Sequence, residues 1–235
     1  MGLADGSVLR VKRNEFKHML SYEDAVKLQK RLSCLLSLDE FSQNGSYRVK
    51  SLYFDSINNG DFVSKINGED IKKKIRLRIY DEETAKLELK AKEGIYQEKT
   101  SVLLSRQDAK AVCGGDFSIL LHDPGEEALR LYTKLMLGCY APAAIIEYDR
   151  LAFMYPEYNT RITFDSYVRS SELNLDLYDR NIAMTPILTD AVILEVKYND
   201  RLLGFISETL RHFQLTNIAA SKYCTGRKIF LDYII

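Results

Sequence analysis

The sequence of 235 residues lacks Trp, contains only 4 Pro and 12 Gly, and has 4 Cys that stand singly. Few Pro and Gly leave little room for flexible linkers, and without a CxxC pair or a Cys/His cluster there is no zinc or dithiol redox motif. No apolar run approaches the roughly 18 residues of a membrane span, and the N-terminal residues lack a signal-peptide core. We therefore expect one soluble, cytoplasmic domain over residues 1–235, without a transmembrane segment.

An excess of charge of one sign is also missing, because 33 Lys and Arg balance 33 Asp and Glu. A chain of zero net charge lacks the positive field of a nonspecific nucleic-acid binder, so we expect no nucleic-acid partner. The Walker A motif, GxGxxG and HExxH are absent as well. The sequence does have 15 Tyr and 10 Phe among 46% hydrophobic residues, which suit a large, well-packed sheet.

Hydrophobic periodicity predicts strands separated by helices. The predicted strands cover residues 9–20, 47–56, 75–80, 86–92, 98–104, 143–154, 161–168 and 191–198. The predicted helices cover residues 22–38, 106–112, 124–137, 204–213 and 221–230. This mixture favours an α+β fold built on one antiparallel sheet of about eight strands, curled or closed, with peripheral helices.

Cations alternate with apolar residues along several predicted strands, as Arg76 and Arg78 do within one of them. Because residues two apart share a strand face, one face of these strands should be basic. If these faces point into a closed barrel, they line a basic tunnel; if they point outward, they are an ordinary solvated surface. A basic tunnel would suit a polyanion, because guanidinium groups bind phosphate oxygens in pairs and Lys adds point charges.

Two glutamates stand among these cations, Glu15 beside Lys17 and Glu195 beside Lys197. Each carboxylate could hold a divalent metal that bridges phosphate oxygens. Alternatively, each could pair with a neighbouring Lys or Arg. Ion pairs outnumber metal sites in proteins, so the pattern alone favours the ion pair.

Eight short motifs follow one another in an order that is typical of a known family. They are Glu15-Phe16-Lys17, SLYFDS (51–56), KIRLRIY (74–80), LELK (87–90), EYDRLAF (147–153), RITFD (161–165), LEVKY (194–198) and SKY (221–223). Together they cover about residues 10–230 and resemble the VTC domain, the polyphosphate polymerase domain within the CYTH-like, or triphosphate tunnel metalloenzyme, superfamily. The resemblance implies a closed eight-stranded antiparallel barrel, a triphosphate tunnel, with manganese or magnesium bound to a strand glutamate.

The resemblance also implies roles for individual residues. The catalytic cations would be Arg76, Arg78, Arg150, Arg161 and Lys222. Further phosphate-binding residues would be Lys17, Lys90, Tyr148 and Lys197, to which the strand pattern adds Lys50 and Lys99. Glu195 would be the metal ligand, and Glu15 is the second candidate for that role.

The function implied by the resemblance is polyphosphate polymerisation, in which ATP gives its γ-phosphate to a growing chain of inorganic polyphosphate. Two alternatives stay open. One is a triphosphatase for tripolyphosphate or a nucleoside triphosphate, in which Glu15 would activate water. The other is a module that binds polyphosphate without turnover. The sequence does not identify a membrane protein that would receive the product.

Overall fold

The computed structural model describes residues 13–79, 83–94, 96–123, 125–217 and 221–231. Its strands are β1 (Arg13–Ser21), β2 (Ser37–Leu38), β3 (Tyr47–Ser56), β4 (Ile71–Ile79), β5 (Thr84–Glu93), β6 (Tyr96–Ser105), β7 (Tyr140–Tyr155), β8 (Thr160–Ser171), β9 (Thr185–Leu188), β10 (Ala191–Asn199) and β11 (Thr216–Asn217). Its α-helices are α1 (Tyr22–Ser33), α2 (Gly60–Ile66), α3 (Arg106–Cys113), α4 (Glu126–Leu137), α5 (Gly204–Arg211) and α6 (Lys222–Leu231). Among these residues, no helix has the length and the apolar character needed to cross a membrane.

The strands form one antiparallel sheet. Hydrogen bonds connect them in the order β11-β1-β10-β8-β7-β3-β4-β5-β6, while β2 pairs with β7 and β9 pairs with β8. Within the described residues this order does not return to its first strand, so hydrogen bonds do not close the sheet. The predicted α+β fold with an antiparallel sheet is confirmed, whereas eight strands closed into a barrel are not. The short strands β2, β9 and β11 were missed because two to four residues carry too little periodicity.

Contacts within the chain define two compact units. The first unit consists of Met1–Tyr47, Arg150–Ser166 and Asp190–Ala219, and the second of Arg48–Asp149, Tyr167–Thr189 and Ala220–Ile235. Strands β7 and β8 each contribute residues to both units. The expected single domain over residues 1–235 stays a prediction.

The core of the first unit lies between α1 and the sheet. The Ser21 side chain accepts a hydrogen bond from the Asp24 N–H and caps the start of α1. Apolar residues at helical spacing bury one face of α1, and they meet alternate residues of β1, β8 and β10: Ala25, Leu28, Leu32, Leu20, Ile162, Phe164, Leu194 and Val196. The predicted helix over 22–38 is too long, because residues 37–38 pair with β7 as β2 instead.

The core of the second unit lies between the strands β3 to β6 and the helices α3 and α4. Alternate residues of the four strands are buried together with residues of both helices: Leu52, Phe54, Ile75, Leu77, Leu87, Leu89, Val102, Leu104, Ala109, Val112, Leu131 and Leu135. Each Leu removed from water in this way contributes roughly 1.5–3 kcal/mol. Because this face is covered by apolar packing, the residues between these positions lie on the other face of the strands. The short helix α2 was not predicted.

Candidate functional site

One face of β4, β5 and β6 carries most of the predicted cations of the second unit. The strand register places Lys74 opposite Lys90 and Lys90 opposite Lys99, with Arg76 opposite Glu88. We call the charged residues of this face the basic strand face: Lys72, Lys74, Arg76, Arg78, Lys86, Glu88, Lys90, Lys92 and Lys99. Eight of these nine side chains are cations, so the face has a strong excess of positive charge.

Glu88 holds Arg76 in place on this face. The Arg76 Nη2 lies 2.7 Å and its Nε 2.8 Å from the Glu88 Oε2, and the Glu88 side chain is only 5% exposed. Burial alone would raise the pKa of Glu88, but the neighbouring Arg76 guanidinium lowers it below its usual value. The Lys99 ammonium lies 3.6 Å from the other carboxylate oxygen. Glu88 is therefore a carboxylate that orients cations, a role that the sequence reading did not give it.

Arg78 is oriented by neutral groups. Its Nε donates to the Ser51 hydroxyl at 3.1 Å, and its Nη2 donates to the Tyr148 hydroxyl at 3.3 Å. Ser51 lies opposite Arg78 in the register of β3 and β4. Because hydroxyl partners carry no charge, these bonds fix the direction of the guanidinium without cancelling its positive charge.

Tyr53 lies among the cations of the same face. It is buried and lies opposite Arg76 in the register of β3 and β4, and the Lys74 Nζ lies 5.2 Å from the centre of its ring. Burial alone would raise the pKa of Tyr53, but the positive charges of Lys74, Arg76 and Arg78 outweigh burial and lower this pKa to about 7. The pKa of this phenol reports the strength of the positive field.

Lys222 reaches the same region from the start of α6. Its Nζ lies 4.8 Å from the centre of the Tyr148 ring. The helix is fixed by Tyr223, whose hydroxyl donates to the Asp55 Oδ2 at 2.6 Å, and Asp55 also accepts the Asp61 N–H at the start of α2. A single carboxylate therefore ties α6 to the end of β3 and to the start of α2.

Close packing at Gly226 also fixes α6. A Cβ at this position would lie 2.7 Å from the Ser170 Oγ and 2.9 Å from the Ile146 Cδ1, so larger residues do not fit without a shift. Five residues after Lys222 on the same helix, Arg227 donates to Glu172 at 2.8 Å. The position of Lys222 depends on these contacts within the second unit.

The structure does not bring Lys50 together with the basic strand face. Lys50 alternates with Ser51 on β3 and shares its face with Leu52 and Phe54 of the apolar core. Its Nζ donates to the Asp179 carbonyl oxygen at 2.9 Å, and burial lowers the pKa of this ammonium. The sequence pattern correctly predicted that Lys50 lies on a strand. It did not indicate which face of β3 contacts Arg78.

In the first unit, the two predicted metal-binding glutamates lie on one face with two lysines. Glu15 lies opposite Lys197, and Lys17 lies opposite Glu195, on the neighbouring strands β1 and β10. The Lys17 Nζ lies 2.8 Å from Glu15, and Lys197 contacts both Glu195 and, at 3.8 Å, Glu15. The ion-pair interpretation thus describes the contacts of both carboxylates. In the described part of the chain, no group of three or more His, Cys, Asp or Glu residues is arranged to hold a metal ion.

Arg150 and Arg161 of the first unit each hold an aspartate. Arg150 makes two hydrogen bonds, of 2.7 and 2.8 Å, to the fully buried Asp165. Arg161 donates to Asp39 at 2.7 Å and to the Tyr47 hydroxyl at 3.3 Å. The sequence reading missed both aspartates. The sequence pattern could have indicated Asp165, because it lies four residues after Arg161 and therefore on the same polar face of the strand. No sequence pattern indicates Asp39.

The predicted site residues therefore separate into two groups. The first unit holds Glu15, Lys17, Arg150, Arg161, Glu195 and Lys197. The second unit holds Arg76, Arg78, Lys90, Lys99, Tyr148 and Lys222, and it holds Lys50 on the opposite strand face.

Two of the solved structures that resemble this chain come from bacteria. A candidate adenylate cyclase of Bacillus halodurans is 15% identical in sequence and superposes with a TM-score of 0.53, over 88% of this chain and 92% of its own. A candidate adenylate cyclase of Vibrio parahaemolyticus is 11% identical, with a TM-score of 0.46 over 91% and 96% of the two chains. At 15% identity, the first likeness shows a shared fold alone. No curated protein matches the chain.

The sequence model of the VTC domain matches residues 12–231, which is nearly the whole chain. This match covers all eight motifs that carried the resemblance, from Glu15 to the residues 221–223. The family prediction is confirmed: the chain belongs to the VTC domain family.

Proposed function

We propose that this protein binds the phosphate groups of ATP and inorganic polyphosphate on its basic strand face and works as a polyphosphate polymerase. The observation that carries the proposal is the charge of that face, where eight cations surround the one carboxylate of Glu88. A phosphate chain carries one or more negative charges per phosphate, so a row of Lys and Arg side chains matches it along its length. The family membership supports the same assignment.

The reaction asks the protein for positioning and charge neutralisation. In the proposed step, the terminal phosphate oxygen of the growing chain attacks the γ-phosphorus of ATP, the bond from that phosphorus to the β,γ-bridging oxygen breaks, and ADP leaves. The attacking oxygen is already anionic, so no general base is needed. Arg78, oriented by Ser51 and Tyr148, is suited to hold nonbridging oxygens as charge develops on them.

A divalent cation, magnesium or manganese, is the proposed cofactor, and Glu195 and Glu15 are the residues that would hold it. Two carboxylates on one strand face suit a hard cation that takes its remaining ligands from water and phosphate oxygens. Such an ion supplies neutralisation of phosphate charge. Both carboxylates are paired with Lys17 or Lys197, so a bound cation would release these lysines for phosphate oxygens.

Binding without turnover is the second candidate, and the pairs in the first unit favour it. Arg150 and Arg161 are each engaged by a buried aspartate, Asp165 or Asp39. A guanidinium with a buried carboxylate partner has less charge to offer a transferring phosphate. The same holds for Arg76 beside Glu88, so Arg78, which two hydroxyl groups hold, is the better placed arginine of the second unit. The closed tunnel implied by the resemblance and the phosphate roles of these two arginines stay predictions.

The test is an incubation of the purified chain with ATP and manganese, followed by a gel for chain growth and by separate assays for ADP and free phosphate. We expect long anionic chains and ADP from the native protein, and neither from the Arg76→Gln/Arg78→Gln variant. Arg211→Gln is the matched control, because Arg211 is a surface cation of α5 that is 74% exposed. Release of free phosphate without chain growth would show that the protein is a triphosphatase and not a polymerase. Polyphosphate binding without nucleotide consumption would show that it is a binding module without turnover.

A further inference from the structure

Thr163 carries a buried hydroxyl on the polar face of β8 in the first unit. Its two neighbours in the chain, Ile162 and Phe164, belong to the apolar core of this unit. Because side chains alternate along a strand, Thr163 lies on the other face, together with Arg161. The register of β8 and β10 places Thr163 opposite Glu195. The hydroxyl therefore lies next to the carboxylate that is proposed to hold a divalent cation.

The Thr163 hydroxyl has no hydrogen-bond partner among the described residues. Thr163 is only 4% exposed, and its Oγ1 is buried. The Nε of Arg161 is also buried and makes no hydrogen bond within the described part of the chain, although the Nη2 of Arg161 donates to Asp39 and Tyr47. A guanidinium N–H can only donate, and a hydroxyl can donate as well. An acceptor oxygen would therefore satisfy both groups.

This hydroxyl does not stabilise the folded chain. A buried polar group without a partner costs free energy, because it has lost its hydrogen bonds to water. Valine has nearly the shape of threonine and would fill the same position without that cost. A hydroxyl at this position is therefore better explained by binding to a ligand than by packing.

We propose that the Thr163 hydroxyl donates a hydrogen bond to an oxygen of the bound phosphate chain, next to the Nε of Arg161. This assignment rests on the proposed function, since it requires phosphate to bind in the first unit. A phosphate chain presents anionic oxygens in a row, so two donors that lie two residues apart on one strand face can each bind one of them. The hydroxyl is neutral and adds no charge to the balanced ion pairs around it.

Lys197 lies close to this position. It is opposite Arg161 on β10, and its Nζ contacts the Glu195 carboxylate. Because the Thr163 Oγ1 is buried, a phosphate oxygen reaches it only after a neighbouring side chain has moved. A cation held by Glu195 would release Lys197 from its ion pair. We therefore expect Thr163 to contribute to phosphate binding when manganese is present, and not in metal-free buffer.

Calorimetric titration of the full chain with tripolyphosphate tests this contribution. With manganese, Thr163→Val should weaken binding by about tenfold, because a hydrogen bond to a charged oxygen is lost. Thr163→Ser keeps the hydroxyl and should stay within about threefold of the native affinity. Without metal, both variants should match the native chain. In urea denaturation, Thr163→Val should be at least as stable as the native chain, since it removes an unbonded hydroxyl.

Thr160 on the same strand supplies the matched control. It is fully buried, and its Oγ1 donates to the Glu157 carbonyl oxygen at 3.1 Å. Thr160→Val therefore removes a hydroxyl that has a partner. This variant should lose stability and keep the native affinity for tripolyphosphate, which is the opposite of the result expected for Thr163→Val.

Three results would overturn the assignment. Native affinity of Thr163→Val in the presence of manganese would show that the hydroxyl binds no phosphate oxygen. A loss of stability as large as that of Thr160→Val would show that the hydroxyl has a structural partner. Weaker binding of manganese alone would make Thr163 a metal ligand instead.

Failure of this assignment and failure of the polymerase are separate results. Chain growth from ATP is measured on its own, so a native affinity of Thr163→Val leaves the polymerase in place. If the native chain binds tripolyphosphate and makes no polyphosphate, the polymerase is refuted, and the affinities of the Thr163 variants still decide the role of this hydroxyl.

Discussion

The two units differ in how the charges of their strand residues are balanced. In the second unit, the basic strand face carries eight cations and one carboxylate, Glu88. In the first unit, four cations are matched by four carboxylates: Lys17, Lys197, Arg150 and Arg161 against Glu15, Glu195, Asp165 and Asp39. The first arrangement favours an anion by itself. The second is balanced, and it accepts an anion most readily together with a cation.

The comparison teaches that alternation in a sequence locates a strand face without giving its net charge. Arg78 and Arg150 look equivalent in the sequence. Each lies on a strand, two positions after another polar residue of the same face, which is Arg76 for Arg78 and Tyr148 for Arg150. Arg78 is held by two hydroxyl groups, whereas Arg150 is held by a buried carboxylate. The difference lies in residues contributed by other strands, which decide whether a guanidinium is available to a ligand.

The largest expected effect is on phosphate binding in the second unit. Replacing Arg76 and Arg78 together by Gln should weaken tripolyphosphate binding by more than about a hundredfold, because two charge-assisted contacts contribute roughly 1.5–3 kcal/mol each. Isothermal calorimetry measures this change. Circular dichroism confirms that the variant keeps its fold, and near-native affinity in a folded variant would show that the basic strand face is not the binding surface.

The next effect is on stability in the first unit. Asp165→Asn leaves Arg150 as a buried charge without its carboxylate, so we expect a loss of about 3–5 kcal/mol in the free energy of unfolding. Urea denaturation measures it. The exposed pair of Glu208 and Arg211 supplies the control, because Glu208→Gln should cause no measurable change. Equal stability of the two variants would show that the buried pair of Arg150 and Asp165 contributes no more than an exposed pair.

A smaller effect concerns α6. Tyr223→Phe removes the 2.6 Å hydrogen bond to Asp55, and loss of this buried bond should cost about 1–3 kcal/mol of stability. Tripolyphosphate affinity should fall along with it, because Lys222 is the preceding residue of the same helix. Lys222→Gln is the comparison, since it should lower the affinity without the loss of stability. A Tyr223→Phe variant with native affinity would show that the bond does not position Lys222.

The smallest effect is spectroscopic and concerns Tyr53. Because the surrounding cations lower the pKa of Tyr53 to about 7, about one tyrosinate should form between pH about 6 and about 8.5 and raise the ultraviolet absorbance at long wavelength. Tyr53→Phe should abolish the change. Saturating tripolyphosphate should shift the transition to higher pH, since bound anion weakens the field that stabilises the phenolate.

The same shift has a consequence for stability. The pKa of Tyr53 is lower in the folded chain than the value of about 10 in an unfolded chain. Its ionisation therefore stabilises the fold fully above pH of about 10, and this contribution is lost as the pH falls through about 7. The native protein should gain stability relative to Tyr53→Phe as the pH rises through this range. A constant difference between the two proteins would contradict the lowered pKa.

Most strands and the polar faces could be predicted from the sequence, because period-two alternation is strong in strands of nine or more residues such as β4 and β5. The two-residue strands and the seven-residue helix α2 could not be predicted, since such short segments contain too few residues to show a periodic pattern. The family was also readable from the order of eight motifs. The register between strands could not be predicted from the sequence. This register places Lys50 and Arg78 on different faces of the sheet.

The pairing of the first-unit arginines shows the other limit. Asp39 lies 122 residues before Arg161 in the chain and follows the two-residue strand β2. No local pattern connects the two residues, so only the fold brings the carboxylate to the guanidinium. Ion pairs between residues distant in sequence therefore stay hidden from sequence reading, although they set the charge that a ligand meets.

Calorimetric titration with tripolyphosphate, first without metal and then with manganese, separates the roles of the two units when it is applied to the native chain and to two variants. We expect Arg76→Gln/Arg78→Gln to lose the metal-free binding, whereas Glu15→Gln/Glu195→Gln keeps it and loses only the gain that manganese brings. An equal loss of metal-free binding in both variants would show that the basic strand face is not the primary anion-binding surface.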